Sequence, residues 1–218
     1  MSSLKAFVRT FHHKIIRADK GVLCLSAPIL FHEEKRMLKS FKPTWMVKSI
    51  YQITAEQLRA HNVKGVITDL DNTLIAWNYP EGTKETIQWI KEMEEEGIEV
   101  LILSNNKHSR VKKVADILKV DYVHSAFKPF QLGFRKAEKK LNIPKENLVM
   151  VGDQILTDIK GANSAGIRSV LVKPIVASDA WNTKFNRFIE LKIMNYLIKE
   201  DPQMKWRESL HVKTSEQL

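Results

Sequence analysis

Val63-Lys64-Gly65-Val66-Ile67-Thr68-Asp69-Leu70-Asp71-Asn72-Thr73 passes from an apolar, β-branched run into a loop that carries two carboxylates. Val63 to Leu70 reads as a strand, and the adjacent Val66 and Ile67 suit one buried on both faces, as in a parallel sheet. Once the strand breaks into a loop, Asp69 and Asp71, one residue apart, both reach the same pocket. Taken alone the turn is unspecific, because such a sequence also caps a loop or binds calcium. The rest of the chain decides its meaning.

Downstream, short β-branched runs alternate with segments of helical period. Thr83 to Glu96 is predicted as a helix, with Thr83 as N-cap and Gly97 as its stop. Ile98 to Leu103 is a second strand, and Lys107 to Leu118 a helix whose Val111, Val114, Ala115 and Leu118 share one face. Val120 to Val123 is a short third strand and Gln131 to Leu141 a helix. Asn147 to Val151 is a fourth strand, Ile155 to Ala165 a helix ended by Gly166, and Ile167 to Val172 a fifth strand. This order predicts an α/β fold, a Rossmann-like doubly wound parallel sheet.

Ligands collect beyond the carboxyl ends of such strands. The polar residues fall there: Asp69 and Asp71 after strand one, Ser104 and Asn105 after strand two, Lys128 after strand three, Gly152 and Asp153 after strand four. Phosphoryl transfer requires a nucleophile, a proton donor for the leaving oxygen, a divalent cation and donors around the phosphate oxygens. One of the paired carboxylates can attack phosphorus while the other serves as acid and then as base. Asp153 offers oxygen to a hard cation such as Mg²⁺. The Ser104 hydroxyl, the N–H groups near Asn105 and the Lys128 ammonium can hold the phosphate.

With these residues in this order the chain resembles the haloacid dehalogenase (HAD) superfamily of phosphotransferases. Asp69-Leu70-Asp71-Asn72-Thr73 is similar to its first motif, Leu103-Ser104-Asn105-Asn106 to the second, Lys128-Pro129 to the third, and Gly152-Asp153-Gln154-Ile155-Leu156-Thr157-Asp158 to the fourth. The resemblance implies Asp69 as nucleophile and Asp71 as acid/base. It implies Mg²⁺ held by Asp69, the backbone carbonyl of Asp71 and Asp153, with Thr73 and Asp158 in support. Lys42 to Val47 and Gly152 to Asp158 resemble the YqeG-like branch of subfamily IIIA, over about residues 37–210. Mitochondrial relatives of that branch are phosphatidylglycerophosphate phosphatases, which implies that lipid, or another bulky phosphate monoester, as substrate. A small sugar or nucleotide phosphate, and a non-catalytic binding role on the same fold, are the competing readings.

Many HAD proteins carry an inserted cap domain. Here 32 residues separate Asp71 from Ser104 and 23 separate Ser104 from Lys128, which the assigned helices and strands nearly fill. A capless, open site is expected, with Ile75 to Tyr79 as its local flap. Trp77 and Tyr79 are read there as flap packing or as lipid contacts.

The division expected is a basic extension over residues 1–36, a HAD-like core over 37–178, and a C-terminal amphipathic helix and tail over 179–218. The formal charge is +10, of which +4 lies in residues 1–36, and the rest is read as a solvated surface with no nucleic-acid partner. Residues 1–36 admit three readings: signal-like around Val22 to Phe31, transit-peptide-like around Leu4 to Ile15, or an extension ahead of a start at Met37. A single cysteine, Cys24, forms no internal disulfide, which favours the cytoplasm. No apolar run is long enough to span a bilayer. Trp181, Phe185, Phe188, Ile189, Lys192, Ile193, Tyr196 and Leu197 recur at helical spacing, with Lys184, Arg187 and Lys199 nearby. That stripe either packs on the sheet or a second subunit, or lies peripherally on anionic lipid at the inner face of the membrane. The histidines show no ligand spacing and receive no role.

Overall fold

The structure, a computed structural model, describes residues 38–77, 83–176 and 183–210, the last stretch with side chains from residue 188 onward. The expectations for residues 1–36, Tyr79 and Trp181, and for the side chains of Lys184, Phe185 and Arg187, lie outside these residues.

Six parallel strands form one sheet: β1 (Trp45–Val47), β2 (Gly65–Thr68), β3 (Glu99–Leu103), β4 (Asp121–Val123), β5 (Leu148–Gly152) and β6 (Arg168–Val172). Their order is β1-β6-β5-β2-β3-β4. Between them run α1 (Ala55–Ala60), α2 (Lys84–Glu95), α3 (His108–Leu118), α4 (Gln131–Leu141) and α5 (Lys160–Ala165), with α6 (Thr183–Glu200) after the sheet. The chain winds outward from β2 through β3 to β4, then returns and winds the other way from β5 to β6, so the order reverses between β2 and β5. That reversal opens the crevice beyond their carboxyl ends.

The doubly wound α/β reading holds, with one strand and one helix more than the sequence suggested. β1, three residues beside Pro43, is too short for a periodicity to register, yet it pairs with β6 from Trp45↔Val170 to Val47↔Val172. α1 is capped by the Thr54 hydroxyl, which accepts from the Gln57 N–H. The helix expected over Ile155 to Ala165 is two elements, a π-helical turn at Ile155–Ile159 followed by α5.

Alternation along the strands divides the core. Val66, Ile102, Val149 and Val170 face one way, against Trp89 and Met93 of α2 and Val111 and Val114 of α3. Ile67, Leu101 and Met150 face the other, against Phe134 and Ala137 of α4 and Ala162 of α5. Each buried Val, Leu, Ile, Phe or Met side chain among these contributes roughly 1.5–3 kcal/mol. α4 and α5 approach closely at Gly161, where a Cβ would stand 2.4 Å from Phe134 Cε2 and 3.2 Å from Pro129 Cα. The contact fixes the segment carrying Lys128 against α5.

A third cluster joins Met46 and Leu171 to Ile155, Ile159, and Ile193 and Leu197 of α6. The C-terminal stripe therefore packs at Ile193 and Leu197, while Phe188 and Leu191 stay exposed.

Candidate active site

Asp69 directly follows β2, and its N–H donates to the Val151 carbonyl at 2.9 Å, extending the ladder one residue past Thr68. The chain then leaves the sheet. Leu70, Leu74 and Ile75 are fully buried and anchor the loop from beneath, with the N–H groups of Leu74 and Ile75 both donating to the Leu70 carbonyl. Asn72 takes the left-handed conformation (φ 64°), which asparagine tolerates better than most residues, and its N–H closes on the Ile75 carbonyl at 2.7 Å. The Tyr51 hydroxyl holds the Leu74 carbonyl at 2.6 Å.

Lys128 crosses to this loop from beyond β4. Its ammonium donates to Asp69 Oδ1 at 2.6 Å and lies 2.8 Å from Asp158 Oδ1, with all three side chains at least nine-tenths buried. The Asn105 side chain brackets the Lys128 backbone, accepting from its N–H at 2.7 Å and donating to its carbonyl at 3.1 Å. Ser104, buried at the end of β3, accepts from the Asn106 N–H at 3.1 Å. Asp153, one residue past β5, accepts from the Thr73 hydroxyl at 3.3 Å.

The π-helical turn brings in Asp158. The Gln154 carbonyl receives both the Asp158 and Ile159 N–H groups, and Asp158 Oδ2 accepts from the Gln154 N–H at 3.1 Å. Such turns recur at functional sites because they re-aim one side chain. Only glycine fits at 152, where a Cβ would lie 2.3 Å from Asp158 Oδ2.

Oxygens of Asp69, Asp153 and Asp158 all lie within 4.8 Å of one another, a buried all-carboxylate group able to hold a metal ion. One ammonium does not balance three carboxylates. Burial, first, and the neighbouring Asp158 and Asp153 raise the Asp69 carboxyl to about 7 despite the pull of Lys128. Lys128 is held firmly protonated: burial disfavours its charge, but Asp158 and Asp69 together outweigh that penalty.

The structure thus brings Asp69, Thr73, Lys128, Asp153 and Asp158 into one group, with Ser104 and Asn105 beside it. Asp71 stands apart from that group, half-buried, its carboxylate in an ion pair with the Arg110 guanidinium and a hydrogen bond from the Asn106 amide. Arg110 also donates to the Trp77 carbonyl at 3.0 Å. Sequence reasoning gave Arg110 no role. It precedes the buried Val111 on α3, and nothing in the helical period marks the residue that meets the β2 loop.

The sheet reverses between β2 and β5, with a carboxylate just past each of those strand ends and a buried lysine between Asp69 and Asp158. The chain belongs to the haloacid dehalogenase superfamily and is a phosphatase of that class. The haloacid dehalogenase-like hydrolase family matches residues 66–127, and the HAD-hydrolase-like family matches residues 126–188.

Among individual proteins, the chain is 43% identical over 170 residues to the probable phosphatase YqeG of Bacillus subtilis, covering 78% of this chain and 98% of that one. It is 31% identical over 106 residues to a ribulose-1,5-bisphosphate 5-phosphatase of Halopiger xanaduensis, 44% of this chain and 43% of that protein. A solved structure of an uncharacterized protein from Listeria monocytogenes aligns at a TM-score of 0.43 and 20% identity, over 60% of this chain and 99% of that one.

Proposed function

We propose that the chain hydrolyses a bulky phosphate monoester, phosphatidylglycerophosphate or a close analogue, through an aspartyl-phosphate on Asp69 and with Mg²⁺ as cofactor. The observation that carries the chemistry is the Lys128 ammonium between Asp69 and Asp158, with Asp153 in the same oxygen cluster. An all-oxygen, buried, net-negative group fits Mg²⁺, which Asp69, Asp153 and the Asp71 carbonyl would hold. When bound, the cation offsets charge on the transferring phosphoryl oxygens.

The chain's own residues do the rest. Asp69 attacks phosphorus, and the bond to the leaving alcohol oxygen breaks as Asp71 gives that oxygen a proton. Asp71 then takes a proton from water, whose oxygen attacks the phosphorus, freeing inorganic phosphate and restoring Asp69. Lys128, the Ser104 hydroxyl and backbone N–H groups near Asn105 hold the phosphoryl oxygens. Asp158 keeps Lys128 aimed at Asp69, Asn105 fixes its backbone, and Thr73 steadies Asp153.

A large ester is favoured by the short connections. Among the described residues, only α2 and β3 lie between Asp71 and Ser104, and only α3 and β4 between Ser104 and Lys128. No helix among the described residues is long and apolar enough to cross a membrane. The lipid would be met from the aqueous side, at the cytoplasmic face.

Purified protein is assayed with Mg²⁺ against phosphatidylglycerophosphate, sugar phosphates and nucleotides, with Asp69→Asn as control. Phosphate release from the lipid that vanishes in Asp69→Asn is the expected result. Lipid left intact while metabolites are cleared would replace the substrate, and an active Asp69→Asn would remove the nucleophile.

A further inference from the structure

Glu190 of α6 is a buried carboxyl, 5% exposed, that none of the four motifs contains. Its Oε1 accepts from the Leu156 N–H at 3.1 Å, across 34 residues of chain. Leu156 belongs to the π-helical turn and lies between Asp153 and Asp158, two of the three carboxylates of the candidate metal group.

The turn needs an acceptor at that point. The first N–H groups of a helical segment have no partner within it, and the residue ahead commonly caps them with its side chain. Gln154 holds that position and makes no such bond; its side-chain oxygen takes the Thr157 hydroxyl at 3.4 Å instead. The Gln154 N–H is closed by Asp158 Oδ2 and the Leu156 N–H by Glu190. The start of the turn is therefore satisfied by the site on one side and by α6 on the other.

Packing grips the turn from the same two sides. Towards β5, a Cβ on Gly152 would lie 2.3 Å from Asp158 Oδ2, so Asp158 has no room to retreat there. Towards α6, Ile155 and Ile159 share a cluster with Ile193 and Leu197. Apolar contact holds α6 on the turn without fixing its register, whereas a hydrogen bond is directional. A buried carboxyl costs free energy to desolvate, and an apolar side chain in its place would dock the helix at least as well. Docking alone does not account for Glu190.

We propose that Glu190 is a positioning residue for the phosphatase reaction: through the Leu156 N–H it sets the π-helical turn, and with it the spacing of Asp158 from Lys128 and from Asp153. The C-terminal helix, which carries no candidate catalytic residue, thereby bears on the chemistry. The inference rests on the reading of the Asp69 site as a metal-assisted phosphatase centre.

Glu190→Met removes the acceptor and keeps the length and packing of the side chain, while Glu190→Gln keeps an acceptor oxygen. Both are compared with wild type in the full chain, by hydrolysis of a water-soluble aryl phosphate across a Mg²⁺ series and by amide hydrogen exchange without metal. Glu190→Met should lower kcat, or raise the Mg²⁺ needed for half the maximal rate, roughly tenfold to a hundredfold, with KM for the aryl phosphate little changed. Its amides from 154 to 158 should exchange about tenfold faster or more, while those of β2 and β5 exchange as in wild type. Glu190→Gln should recover most of both. A Met variant with wild-type kinetics overturns the proposal, and so does one whose exchange rises equally throughout the chain, since Glu190 would then serve global stability alone. A Gln variant as impaired as the Met variant overturns the Leu156 bond as the cause. If the Met variant does not fold, wild type decides: a Leu156 amide that exchanges as fast as an exposed loop overturns the proposal. Wild type inactive on the aryl phosphate would overturn the phosphatase mechanism instead, and the exchange rates would still decide whether Glu190 sets the turn.

Discussion

Replacing Lys128 by Met keeps the length of the side chain and removes its charge from between two carboxylates. Lys128, Asp69 and Asp158 are each at least nine-tenths buried, so neither carboxylate has water to take over from the ammonium. Breaking a buried pair by removing one partner costs about 3–5 kcal/mol, and Met leaves little cavity to add to that. For a chain of this size the loss corresponds to a fall in Tm of roughly 10 °C. The sign with pH is set by the carboxylates. Without the ammonium the folded-state pKa of Asp69, already raised, rises further, so the variant's stability is present at low pH and lost as pH increases through the raised value. Urea unfolding with EDTA at pH 5 and pH 8 measures this, with an unchanged m-value as the check that the same surface is exposed. The deficit should be larger at pH 8 than at pH 5, by about 1 kcal/mol. Adding Asp158→Asn to Lys128→Met should restore part of it, with a coupling above about 1 kcal/mol. A variant as stable as wild type at pH 8, or a deficit independent of pH, would refute the claim that Lys128 holds the cluster together by charge.

Metal-free wild type carries a milder form of the same imbalance. With the Asp69 carboxyl raised from 3.8 to about 7, stability in EDTA should be greatest below about pH 4 as far as this group is concerned and fall as pH rises through 7; Mg²⁺ should reverse the fall. A thermal-melt series across pH with and without Mg²⁺ tests it, and a flat metal-free profile would contradict the buried-charge account. Gly152→Ala places a Cβ 2.3 Å from Asp158 Oδ2, so it should cost about 1–3 kcal/mol and reduce turnover by displacing Asp158 from Lys128. Unchanged turnover would show that Asp158 is not what aims the lysine. Arg110→Ala frees the Asp71 carboxylate, and kcat should drop roughly tenfold or more with KM little changed. A rise in KM alone would instead make Arg110 a substrate contact.

Much of this was visible in the chain because the buried strands announce themselves. Val66-Ile67 and the run from Val100 to Leu103 have no polar interruption, and the residues that end them are the polar ones. What escaped notice has physical reasons. β1 has three residues and gains its stability from β6, far away in sequence, so no local pattern marks it. The π-helical turn keeps a helical hydrophobic pattern while changing where Asp158 points, and periodicity is blind to that difference. Arg110 is an ordinary surface position on α3 until the β2 loop arrives against it. Asn105 was expected near phosphate through backbone groups; its side chain binds the backbone of Lys128, a link across 23 residues that spacing alone does not reveal.

β1 also has a bearing on solubility. A strand at the margin of a parallel sheet presents unpaired peptide groups to other molecules. Here the segment after α6 returns along that margin: the Arg207 N–H donates to the Met46 carbonyl at 3.0 Å, Val47 and Arg207 form a parallel bridge, and Leu210 is buried in the core. The tail of the fold acts as a seventh, fragmentary strand that shields the edge. A chain cut after Glu200 would keep every candidate catalytic residue yet bare that margin, and self-association, rather than lost chemistry, would be its first defect.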